Sequence, residues 1–252
     1  MRLWVNLLIA LVFLSSPLTS HATEVTSCES LLRAMHARYE KSWYQTLTFV
    51  QKSSTYNPDH STKVETWYEA ASIPGKLRID FGPPNAGNGA LLLNGTAYFY
   101  KDGKPAGTRP LLNLLLVLGF DVYRQPPELT LSQLKGEGID TDKIHEEQWQ
   151  GEAAYVVGAG KGDLKSKQFW VEKRRLLFVR LIEPGQRDPS TIEDTRLLDY
   201  RALDGGMVAP RVELFADGKL VFSEDYSEIH AGVKLEPAIF DPQQFTTHHW
   251  EK

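Results

Sequence analysis

Apolar residues recur along the chain with two different periods. Over residues 26–43, Leu31, Leu32, Met35 and Tyr39 fall at spacings of three and four, which predicts an amphipathic helix with one face to bury. From Tyr44 the period is two. Leu47, Phe49 and Gln51 alternate with Thr46, Thr48 and Val50, and further strand-like segments follow at residues 63–70 and 75–81, the outline of an antiparallel meander. In the last of these, Leu77, Ile79 and Phe81 share one face while Lys76, Arg78 and Asp80 share the other. That alternation predicts one covered face and one wetter face.

Turn signals divide the strands. Asn94-Gly95 separates residues 90–93 from 97–100, and Asp217-Gly218 separates 208–215 from 220–229; both are hairpin signals, since the two central residues of the turn take positive φ. Strands are also expected at residues 151–158, 167–172, 176–183 and 191–203, about ten or eleven in all. There is no βαβ rhythm and no repeat of fixed period. The architecture expected is mainly β with some α: one large, strongly curved antiparallel sheet with a few helices on one side.

Residues 109–121 break this pattern. They read Arg-Pro-Leu-Leu-Asn-Leu-Leu-Leu-Val-Leu-Gly-Phe-Asp, with Pro110 suited to a first helical turn and Gly119 to a helix end. A helix apolar on every side has to be covered on every side. At about ten residues it is too short to cross a bilayer, which takes about 20. It is either an ordinary core helix or the cover of a cavity beneath a half-open sheet.

Residues 1–22 have the organisation of a secretory signal peptide: Arg2, an apolar stretch over 3–14, and Ser20-His21-Ala22 as a small-residue cleavage site. Residues 23–252 then form a single exported domain, expected in the periplasm. Removing the leader takes away Arg2 and no acid, leaving 27 basic against 32 acidic residues, so nucleic acid is not an expected partner. Cys28 is the only cysteine, which excludes an internal disulfide. Val25-Thr26-Ser27-Cys28 resembles a lipobox, after which a lipidated Cys28 would anchor the chain in the outer membrane. However, Ser15, Ser16, Pro17, His21 and Glu24 separate it from the apolar stretch, and Thr26 with Glu29 fits a helix capping box, so a local structural role is favoured.

Candidate chemistry is sparse. His145-Glu146-Glu147 lacks the second histidine one helical turn away that would share a metal. His248-His249 would point to opposite faces of a strand and reads as a frayed terminus. Gly158-Ala159-Gly160-Lys161-Gly162-Asp163 has Gly where a phosphate-cradling loop needs Ser or Thr, and a strand follows where a helix is needed. No nucleophile elbow is present, and Cys28 has no base nearby in sequence. Neither a metal, a cofactor nor an enzymatic activity is expected. Aromatic residues in strand segments, Trp67, Tyr98, Phe99, Tyr100, Phe169 and Trp170 among them, together with the apolar helix, favour a hydrophobic cavity.

Several landmarks resemble the periplasmic lipoprotein-carrier superfamily, the LolA/LolB-like proteins, which also includes the sensor domain of an envelope-stress regulator. Leu47-Thr48-Phe49-Val50-Gln51 is similar to the family's first strand. Pro74-Gly75-Lys76-Leu77-Arg78-Ile79-Asp80-Phe81 is similar to its Pro-x-x-Phe-Arg strand, and Leu91-Leu92-Leu93-Asn94-Gly95-Thr96-Ala97-Tyr98 to its following hairpin. Arg109-Pro110-Leu111-Leu112 falls where the family has a Pro-x-x-Leu-Leu helix. Phe169-Trp170-Val171-Glu172 followed by Leu177-Phe178-Val179-Arg180 resembles its late hairpin, and Leu235-Glu236-Pro237-Ala238-Ile239-Phe240 its closing segment. The chain departs from the family by extra length around residues 128–149 and by Gly75-Lys76 ahead of Leu77-Arg78.

The resemblance implies an unclosed β-barrel whose concave face, lidded by helices, accepts acyl chains. The expected function is that of a monomeric carrier for a lipid or an acylated lipoprotein, between an inner-membrane donor and an outer-membrane acceptor. A sensor or protein-interaction module on the same fold is the alternative, ahead of a hydrolase. The residues expected at the ligand are Trp67, Leu77, Arg78, Ile79, Phe81, Leu91, Leu93 and Phe169 from strands, and Leu111, Leu114, Leu115 and Leu118 from the helix. Arg78 enters as the family motif's arginine; the strand alternation reads it equally as solvated.

Overall fold

A computed structural model describes residues 24–185 and 188–250; the expected leader lies outside them. The first element is helix α1 (Cys28–Tyr39). Its capping box lies one residue beyond the expected pair: the Ser27 side chain accepts from the Ser30 N–H, and the Ser30 hydroxyl accepts from the Ser27 N–H. Leu31, Leu32 and Met35 form the buried stripe that their spacing predicts, and Cys28 is buried beside them.

Six strands follow: β1 (Thr46–Tyr56), β2 (Thr62–Ser72), β3 (Lys76–Phe81), β4 (Gly89–Leu93), β5 (Thr96–Lys101) and β6 (Lys104–Pro110). Then come α2 (Leu114–Gly119), a 3-10 turn at Asp121–Tyr123, and α3 (Pro127–Gly136). The chain continues through β7 (Ile144–Trp149), β8 (Glu152–Val157), β9 (Gln168–Glu172), β10 (Leu177–Pro184) and β11 (Ile192–Leu198). A short ribbon of β12 (Arg201–Leu203) and β13 (Gly206–Val208) precedes β14 (Arg211–Ala216) and β15 (Lys219–Ala231).

Thirteen strands make one antiparallel sheet in the order β6-β5-β4-β3-β2-β1-β15-β14-β11-β10-β9-β8-β7. Its two edges, β6 and β7, do not pair with each other, so the barrel is unclosed. The centre is the β1–β15 ladder, which joins the first strand to the last with Leu47 opposite Ala231 and Gln51 opposite Tyr226. The hairpin turns form as their residues predict, with positive φ at Asn94-Gly95 and at Asp217-Gly218.

More strands form than the alternation predicts, and the extra ones are informative. β6 is exposed at every residue, and β7, Ile-His-Glu-Glu-Gln-Trp, has no fully buried position. Both are sheet edges with little to bury, so neither carries an apolar period, and polar edges also discourage pairing with other chains. The segment 191–203 breaks at Asp199, which has positive φ. Pro110 ends edge strand β6 rather than opening the helix; α2 starts at Leu114, where the Asn113 side chain accepts from the N–H groups of Leu115 and Leu116. Helix α3 has Pro127 at its start but only Thr130 and Leu134 fully buried, too thin a stripe to show as a period.

Helices α1 and α3 pack on each other, and together with the 3-10 turn and α2 they fill much of the concave face against strands such as β8, β9 and β10. The convex back of β2–β5 is covered by residues 237–250. There Ile239 and Phe240 pack on Ala70, and the Phe245 ring stacks on Tyr100 with centroids 4.0 Å apart.

Candidate functional site: the concave face under α2

Helix α2 is the apolar segment set apart in the sequence, and Leu115 on it borders three cavities. The widest, about 750 Å³, runs from the end of β6 to β10, β11 and β14. Leu111, Leu114 and Leu115 form one wall and Leu181, Pro184 and Leu214 another, with Glu137, Lys167, Glu183 and Glu193 adding charge. Lys167 pairs with Glu183 at 3.2 Å and with Glu137 at 3.4 Å. A second cavity of about 100 Å³ lies between α2 and the first half of the sheet, walled by Phe49, Trp67, Ala71, Leu77, Ile79 and Phe120. A third, of about 40 Å³, lies against Leu197, Tyr200, Met207 and Val212.

The structure thus gathers six of the expected ligand residues, Trp67, Leu77, Ile79, Leu111, Leu114 and Leu115, around α2. Phe81 lies on the same face, its ring 4.7 Å from that of Trp67. Leu118 and Phe169 are completely buried in the core cluster and line none of the three cavities.

Arg78, Leu91 and Leu93 require correction. The β3–β4 register sets Arg78 opposite Leu91 and Lys76 opposite Leu93, which puts all three on the convex side. Leu92, opposite Leu77, takes the inner position, because a one-residue offset exchanges the faces of a strand. Nor is the Arg78 face wet. Arg78 and Asp80 have no exposed side-chain surface, and the Arg78 guanidinium donates to the carbonyls of Ile239, Phe245 and His248 at 2.8–3.1 Å. His249 Nδ1 lies 3.1 Å from Arg78 Nη2, so the expected frayed histidine pair is a latched segment.

Cys28 is buried in the core. Burial pushes its thiol up to about 12, and carrying a lipid would require withdrawing the side chain from the core. The glycine-rich loop before β9 is closed by Asp163, which accepts from the N–H groups of Lys165 and Ser166.

The inner face also holds polar groups that the sequence reading did not single out: Gln51, Glu69, Glu224 and Tyr226, all on the second cavity. Glu69 is 5 % exposed, and its carboxyl has no hydrogen-bond partner among the described residues. Burial, then the charge of Glu224, hold it well above the usual carboxylate range. Burial likewise pushes Glu224 up to about 7, although hydrogen bonds from Tyr226 and Gln51 pull the other way. The indole N–H of Trp67, on the same cavity wall, is buried without a partner among the described residues. A signal was available, because Trp67, Glu69 and Ala71 alternate along β2 on the face that meets Phe81, Ile79 and Leu77.

At the end of α2, the buried Asp121 carboxylate accepts from the Gly75 N–H at 2.9 Å and ties the helix to the β2–β3 turn. Burial raises Asp121 to about 7 against that hydrogen bond.

No family model and no curated protein matches the chain. Solved structures do. A DUF1329 family protein from Desulfovibrio piger superposes with a TM-score of 0.54 at 17 % identity, covering 85 % of this chain and 95 % of its own. A LolA superfamily protein from Nitrosomonas europaea gives 0.52 at 15 % identity over 83 % and 97 % of the two chains. An outer membrane lipoprotein-sorting protein domain from Vibrio parahaemolyticus gives 0.51 at 14 % identity over 87 % and 98 %. The chain therefore shares its fold with these proteins over most of its length.

Proposed function

Starting from the unclosed sheet common to LolA superfamily and lipoprotein-sorting structures, we propose that this protein is a non-enzymatic carrier. It holds the acyl chains of a lipid or lipoprotein on its concave face, with α2 as a displaceable plug. The observation that carries this reading is Leu115, whose side chain borders three cavities, the widest of about 750 Å³. That size falls within the roughly 300–1,000 Å³ of small-molecule sites. Each methylene buried there contributes about 0.8 kcal/mol, so chains are held firmly without covalent chemistry.

In this reading the chain works as a monomer in the periplasm after loss of residues 1–22, receiving cargo from an inner-membrane donor and passing it to an outer-membrane acceptor. Among the described residues no helix is long and apolar enough to cross a membrane. Delipidated protein is expected to take up a fluorescent fatty acid, with uptake abolished in Leu115→Asp. Absence of uptake by the unaltered protein overturns the proposal.

A further inference from the structure

The second cavity is apolar except for one acidic corner, and that corner has no basic residue facing it. The groups that surround Glu69 and Glu224 are Phe49 and Gln51 from β1, Trp67 from β2, Tyr226 from β15, and Asn113, Leu115 and Phe120 from the plug segment. Tyr226 is the titratable one among them, and Tyr200 stands behind it. Among the described residues no Lys, Arg or His lines this cavity. Glu69, only 5 % exposed, presents its carboxyl to this largely apolar cavity. The wider cavity on the other side of Leu115 is acidic too, with Glu137, Glu183 and Glu193 set against Lys167.

We infer that Glu69 and Glu224 form a binding site for the protonated amine of an amine-bearing lipid, whose hydrocarbon part occupies the cavities around Leu115. The inference rests on the carrier reading and specifies its cargo. An anionic or phosphate head would meet two acids and no cation in this corner, whereas an ammonium group supplies the missing donors. Burial raises the proton affinity of both carboxyls, Glu224 to about 7, so the empty site is partly protonated near neutral pH. When the ammonium enters, that proton leaves to solvent and the carboxylate keeps its electron pair to accept from the ammonium. The buried charge is then balanced, and charge-assisted hydrogen bonds replace unmade ones.

The test is displacement of a bound fluorescent alkyl probe by dodecylamine, dodecanol and dodecanoic acid, which differ only at the polar end. At pH 8 dodecylamine is expected to bind about tenfold more tightly than dodecanol, the effect of roughly one well-placed charged hydrogen bond. At pH 5, well below the value of about 7 for Glu224, the preference should fall to within twofold. Glu69→Gln and Glu224→Gln should each remove the preference for amine over alcohol at pH 8, with thermal melting as the control that each variant remains folded. Amine binding in weakly buffered solution at pH 7 should release protons. Equal binding of amine and alcohol at pH 8, or preference for the acid, overturns this inference and leaves the carrier reading standing. Failure of all three to displace the probe overturns the inference; failure of the probe itself to bind removes the carrier reading as well.

Discussion

Arg78 donates two hydrogen bonds to Asp80, Nε to Oδ2 at 2.7 Å and Nη2 to Oδ1 at 2.8 Å, on the face of β3 turned away from the cavities. The same guanidinium lies 4.1 Å from the centre of the Phe245 ring and donates to three carbonyls of residues 237–250. One buried side chain therefore neutralises Asp80 and holds down the segment that covers the back of the sheet. Arg78→Ala is expected to cost about 3–5 kcal/mol, because it leaves Asp80 charged and unpaired in the interior. The double change Arg78→Met with Asp80→Leu should cost less than Arg78→Ala. Urea titration measures both costs, and early proteolytic cleavage within residues 237–250 should accompany the loss.

The plug should be separable from the fold. Leu115 is only partly buried and borders open volume on several sides, so Leu115→Trp fills space without cutting into the sheet. The melting temperature is expected to stay within a few degrees, a change of about 1 kcal/mol or less. Uptake of a fluorescent fatty acid should fall severalfold. A large loss of stability with normal uptake would show that α2 is a core helix and not a cover.

Asn113 caps α2. Its side chain is the acceptor for two N–H groups of a helix only six residues long. Asn113→Ala is expected to cost about 1 kcal/mol. Amide exchange at residues 115–119 should accelerate before exchange in β1 and β15 changes.

Acid should stabilise this protein over a defined window. Glu224 and Asp121 are each raised to about 7 by burial, from ordinary values of 4.5 and 3.8, and burial also raises Glu69 well above its ordinary value. A carboxyl whose folded pKa is raised binds its proton more tightly in the folded state. Its stabilising effect is therefore fully present below its unfolded pKa and is lost as pH rises from that value through the folded one. Thermal melts should show stability falling between about pH 4.5 and pH 8, by on the order of 3 kcal/mol for each group shifted to about 7. Asp121→Asn and Glu224→Gln should each flatten that slope. An unchanged slope in both would exclude these groups as its source.

What could be read from residues alone was whatever had a local cause. The stripe of Leu31, Leu32 and Met35, the alternation through β1 to β3, and the Asn94-Gly95 turn all depend on neighbours within a few positions. Edge strands β6 and β7 escaped because burial writes the period into a strand, and an edge has little to bury. The apolar run from Leu111 carries its need for cover in its composition, but not the start of its helix at Asn113, since Pro110 satisfies a strand edge as well as a first turn.

The faces were decided only by the tertiary structure. Alternation shows that Leu77 and Arg78 point apart; it does not say which side closes over a cavity or which lies beneath the C-terminal segment. Pairing over more than 150 residues joins β1 to β15, brings Tyr226 opposite Gln51, and carries Glu224 towards Glu69. No short-range pattern encodes that meeting, so nothing marks the two carboxyls until the sheet curves around them. The sequence determined the curved antiparallel sheet and its apolar plug through periods that each strand and turn carries locally. The acid pair within the cavity and the latch behind it exist only because distant strands share one register.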